Sequence, residues 1–112
     1  MLNNFVTRLA FSSLLLGTFA QAVPSKLYCV GTKHSSSSCQ AGSFWETAAE
    51  ARKEIRQPHH NSIYTVDTQG IEDIFTQYEP DSKKWSNTRL IPAKNLKIKE
   101  TRFQDGRVNH YN

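Results

Sequence analysis

SFWETAAEARKEIRQP, residues 43–58, carries the strongest helical signal in the chain and sets the expected fold class. Ser43-Phe44-Trp45-Glu46 has capping-box spacing: the Ser43 hydroxyl accepts a backbone N–H three residues on, and Glu46 reaches back to that of Ser43. Phe44, Ala48, Ala51 and Ile55 then recur at helical spacing. Arg52, Lys53 and Arg56 fall in the last turns, where cations favour the negative end of the dipole. Pro58 stops the run, so the pattern predicts a helix from Ser43 to Arg56.

On either side of this segment the pattern turns to strands. KLYCVG (26–31) and SIYTVD (62–67) are apolar and β-branched enough to pair. Ser35–Ser38 reads as a loop, and Gln69-Gly70 breaks the second strand. IEDIFTQY (71–78) places Ile71, Ile74, Phe75 and Tyr78 at helical spacing, yet the run is short and aromatic, and we read it as a strand. Residues 79–84 form a polar loop, and Thr88–Ile91 is a short strand candidate stopped by Pro92. Leu96–Phe103 and Arg107–Tyr111 flank Gln104-Asp105-Gly106, where Asp-Gly is a strong hairpin signal. The expected fold is α+β: one N-terminal helix packed on a small antiparallel sheet, with four or five strands after the helix and one disulfide.

MLNNFVTRLAFSSLLLGTFAQA (1–22) reads as a secretory signal peptide. Arg8 is the positive n-region, Leu9–Phe19 an apolar core too short to span a bilayer, and Ala20-Gln21-Ala22 a small-x-small cleavage site. Residues 23–112 then form a single small secreted domain with no membrane association, expected as a monomer. The chain has a net charge of +4, and Arg8 is the one charge in the leader, so the mature part carries +3. That is compatible with an RNA or phosphate partner and equally with ordinary solubility charge. Cys29 and Cys39 are the two cysteines, which in an oxidising compartment leaves one intramolecular bridge. Their spacing fits no zinc pattern, and neither metal nor cofactor is expected.

Candidate chemistry is sparse. His59 and His60 follow Pro58 directly; a histidine pair supplies a general acid or a metal ligand, or is simply solvated. A metal would need a third ligand from His34, His110 or scattered carboxylates. Glu79 ends an apolar run, and is a general base if partly buried beside a cation. Lys97 and Lys99 alternate with Leu96 and Ile98 on the C-terminal hairpin, with Arg102 and Arg107 beyond. This outward face suits phosphate contacts as well as plain solvation. Trp85, between polar residues in SKKWSN, is the candidate for an exposed stacking or interface anchor.

Leu27-Tyr28-Cys29, the single helix, Pro58-His59-His60, Tyr78-Glu79-Pro80 and Asp105-Gly106-Arg107-Val108 occur in the order seen in fungal microbial ribonucleases. The chain resembles these, and more closely the RNase-like secreted effectors of plant-infecting fungi. For an active enzyme the resemblance implies RNA cleavage through a 2′,3′-cyclic phosphate. Glu79 would be the base, Arg107 the charge stabiliser, His59 or His60 a supporting electrophile and His110 the acid. The chain departs from the pattern in three places: Leu27 replaces an aromatic residue, Cys39 lies early, and His110 stands two residues from the last residue of the sequence. A terminal residue holds a general acid poorly. The expectation is therefore a small secreted effector, a virulence or avirulence protein, that binds a host protein or host RNA outside or inside host cells without turnover. The alternatives are an active secreted ribonuclease or ribotoxin and a six-stranded β-sandwich avirulence protein without a substantial helix.

Overall fold

A computed structural model describes residues 22–41, 43–79 and 82–111. The signal-peptide reading falls on residues 1–21, outside the described part, and on Ala22.

Leu27, Cys29 and Gly31 are buried and alternate with the more exposed Lys26, Tyr28 and Val30, the period-two pattern of a strand covered on one face. This strand, β1 (Lys26–Gly31), pairs antiparallel with β3 (Ser62–Asp67) from Lys26↔Asp67 to Gly31↔Ser62. Around them lie β2 (Phe44–Trp45), β4 (Phe75–Gln77), β5 (Lys84–Asn87), β6 (Leu96–Arg102) and β7 (Val108–His110). They form one seven-stranded sheet in the order β4-β5-β2-β1-β3-β6-β7, antiparallel at every pairing. Both strands read from the sequence at 26–31 and 62–67 have the bounds expected. The β6–β7 hairpin turns at Gly106, whose φ of 94° suits glycine.

The sheet's main core lies on one face, where Leu27, Cys29, Phe44, Val66, Phe75 and Trp85 cluster with Ile74 and Ile91. Gly31 is required there, since a Cβ would come within 2.8 Å of the Tyr64 ring. Cys29 is bridged to Cys39 with a Cα–Cα separation of 5.4 Å, tying β1 to the 3-10 turn Ser37–Ala41. Closing so short a loop contributes roughly 2–3 kcal/mol.

On the other face sits α1 (Ala48–Arg52), packed on β1, β2 and β3 with Ala51 fully buried. The helix is much shorter than the span Ser43 to Arg56 suggests. Phe44 is fully buried, pairs with Trp85 across the strands and meets the Phe75 ring edge-on at 5.4 Å. That burial keeps residues 44–45 extended and overrides their helical periodicity. The cap moves four residues on, to Thr47-Ala48-Ala49-Glu50, which has the same box spacing. The Thr47 side chain accepts from the Glu50 N–H at 3.1 Å. Glu46 instead accepts from Trp85 Nε1 at 2.9 Å.

Two further expectations are corrected. Trp85 is not an exposed anchor: it is 2% exposed, in the core on β5. The strand expected at Thr88–Ile91 lies upstream at Lys84–Asn87, because Trp85 pairs with both Phe44 and Gln77. Residues 71–78 divide, with a 3-10 turn at Glu72–Ile74 followed by β4.

Candidate functional site

The face that carries α1 is covered only where the helix lies. Beyond it the strand register places Tyr28 opposite Thr65 and Thr65 opposite Lys97, with Lys26 opposite Asp67. Directly opposed residues share a face, and here they floor an open groove of about 470 Å³. Lys26, Lys94, Lys97 and Lys99 line it, with Asp67 the one carboxylate among the lining residues. Local structure sets each of these positions. Pro92 leads into the 3-10 turn Ala93–Asn95, which carries Lys94, and the Asn95 amide donates to the Asp67 carbonyl at 2.7 Å. The register slips between Ile63 and Tyr64, so Ile98 faces Tyr64 while Glu100 faces Ile63, leaving Lys99 as the bulged residue. Lys97 and Lys99 thus both line the groove, but through a bulge rather than by plain alternation. Such a cluster of ammonium groups on an open surface attracts polyanions.

A second basic-aromatic feature adjoins it. The Lys84 ammonium lies 4.2 Å from the Tyr78 ring centroid and 5.4 Å from that of Trp45. Tyr78 is 59% exposed and Trp45 is partly exposed.

The residues proposed for catalysis are spread out. Glu79 is exposed just past β4 at one edge of the sheet, and His110 is exposed on β7 at the other, with five strands between β4 and β7. His59 and His60 are exposed in a turn closed by paired backbone hydrogen bonds of 2.8 Å between Arg56 and His60. Gln57 Nε2 donates to the Arg102 carbonyl at 2.9 Å, which seats this turn beside the end of β6. Arg107 is engaged locally: its Nε donates to Asp105 at 2.7 Å and its guanidinium lies 4.5 Å from the Phe103 ring centroid. The Arg107 backbone N–H and guanidinium together hold the Asp105 carboxyl below its ordinary range. The structure therefore brings the histidine turn near the β6–β7 end and leaves Glu79 on the far edge. Among the described residues no side-chain hydrogen bond or ion pair joins any two of His59, His60, Glu79, Arg107 and His110.

Arg102, expected to meet a ligand, turns instead to Glu100, donating to Oε2 at 2.7 Å. Arg52 of α1 donates to the same carboxylate from Nε at 3.0 Å and Nη2 at 2.8 Å. The Glu100 side chain is fully buried, and the Arg52 hydrogen bonds, outweighing desolvation and joined by Arg102, push its carboxyl down to about 2. This clamp fixes α1 to β6. Sequence reading missed it, because alternation along Leu96–Arg102 gives Glu100 no partner without the position of α1. Lys26 and Tyr28 were also missed, although their alternation with Leu27 and Cys29 puts them on the open face.

Among the described residues no group of three His, Cys, Asp or Glu side chains is arranged to hold a metal ion, and no helix is long and apolar enough to cross a membrane. Comparisons with protein-family models, with curated proteins and with solved structures return no match. The fold and site together define a disulfide-bridged antiparallel-sheet domain with one basic open face.

Proposed function

We propose that this is a small secreted effector of the kind plant-infecting fungi release, and that it acts by binding host RNA without cleaving it. The observation that carries the reading is the convergence of Lys26, Lys94, Lys97 and Lys99 on one open groove. Phosphate contacts of this kind supply affinity whatever the sequence. Turnover would need a base, an acid and a charge stabiliser around one phosphate. Glu79 and His110 stand on opposite edges of the sheet, and Arg107 is occupied by Asp105, so the site favours binding. The leader-like segment at 1–22 and the Cys29–Cys39 bridge are both compatible with export.

The test is RNA cleavage and RNA retention by the exported, oxidised protein, beside Glu79→Gln and His60→Ala. Retention that weakens with salt, and no cleavage by any of the three, is the expected result. Cleavage that both substitutions abolish would make the protein a secreted ribonuclease.

A further inference from the structure

A single cross-strand row crosses the open face from β4 to β6. Tyr78, one residue past β4, donates its N–H to the Lys84 carbonyl at 2.9 Å. Lys84 lies opposite Trp45, Trp45 opposite Tyr28, Tyr28 opposite Thr65, and Thr65 opposite Lys97. Lys84, Trp45, Tyr28 and Thr65 each have a core residue beside them on their own strand, such as Trp85, Phe44, Cys29 or Val66, and Lys97 lies between Leu96 and Ile98, which pack against the core, so this part of the row points away from the core. It presents three aromatic rings and two ammonium groups over roughly 24 Å of sheet width, at about 4.8 Å per strand. Lys26, Lys94 and Lys99 flank one end. The carboxylates lining the pockets along it are Asp67 and Glu54, the latter already paired with Arg56, and Glu79 follows Tyr78 at the far end.

We infer that this row is a stacking platform for single-stranded RNA running across the strands. Bases lie on Tyr78, Trp45 and Tyr28, and phosphates meet Lys84, Lys97 and the flanking lysines. The inference rests on the RNA-binding reading above and adds the strand state, the direction and the rings. Charge complementarity selects a polyanion over a neutral chain, and the rings select a polyanion with exposed π-faces, which a duplex keeps stacked inside. Lys84 now rests against two of the rings. A stacked base is worth more than an exposed cation–π contact, so the flexible ammonium moves off to phosphate when RNA binds.

Trp45 gives the direct readout, because the other tryptophan, Trp85, is buried. A single-stranded oligoadenylate of about eight nucleotides, within the usual span of such sites, is titrated into the exported, oxidised protein. The same strand paired with oligouridylate, and heparin as a polyanion without bases, are titrated in parallel. Quenching of Trp45 by the single strand is expected, lost in Trp45→Phe although binding persists, with the duplex several-fold weaker. Tyr78→Ala, at an exposed strand end where folding is not at stake, should weaken single-strand binding about 10-fold and leave heparin binding unchanged. Equal affinity for duplex and single strand, or no effect of Tyr78→Ala on salt-dependent RNA binding, would overturn the platform while the RNA-binding reading stands. Absence of any RNA binding would overturn both.

Discussion

Glu100 is fully buried between Arg52 and Arg102, and its carboxyl is held at about 2 against an ordinary 4.5. A depressed folded-state value means that the ionised group stabilises the fold above the unfolded value, and that this contribution is lost as pH falls from about 4.5 towards 2. The amount is of order 3 kcal/mol. Thermal melts between pH 6 and about 2 should show the midpoint dropping across that window. Glu100→Gln should lower stability by about 3 kcal/mol at neutral pH and flatten the acid limb; an unchanged limb would place the acid sensitivity elsewhere. Trp85 is the other decisive single residue. It fills the core between Phe44 and Gln77 and donates its indole N–H to Glu46. Trp85→Ala should cost about 3–5 kcal/mol in denaturant titration, whereas an exposed binding residue would cost little stability and much affinity.

At the scale of elements, α1 tests how its cap was chosen. Thr47 and Ser43 both begin a box with glutamate three residues on, but only Thr47 caps in the folded chain. Thr47→Ala should lose about 1 kcal/mol, and Ser43→Ala close to nothing; equal losses would mean the helix starts at Ser43 after all. The central strands β1 and β3 were legible because both are short runs of apolar and β-branched residues and turn residues follow them. The hairpin was legible through Asp105-Gly106. The short strands β2 and β5 were not, because neither shows a pattern without the other: Phe44 and Trp85 become strand residues by pairing across 41 positions of sequence. The site was divided in the same way. Alternation places Lys97 outward and puts Lys26 and Tyr28 on one face of β1, but only the sheet register brings these together, the bulge adds Lys99, and the turn after Pro92 adds Lys94.

For the whole molecule, the sheet separates two tasks. One face holds the apolar core and the bridged Cys39 segment. The opposite face carries α1 at one end and the lysine groove at the other, leaving the basic surface open to solvent. This division gives the proposed binding surface a rigid floor. The most direct measurement is the salt dependence of affinity for single-stranded RNA, compared between the protein and Lys97→Ala/Lys99→Ala. The four groove lysines predict a slope of log K against log salt of about −3, or about −3.5 with Lys84 counted, shallower by roughly 1.4 in the double variant, with the RNA recovered intact. A slope that the double variant does not change, or RNA recovered as cyclic-phosphate fragments, would contradict the account.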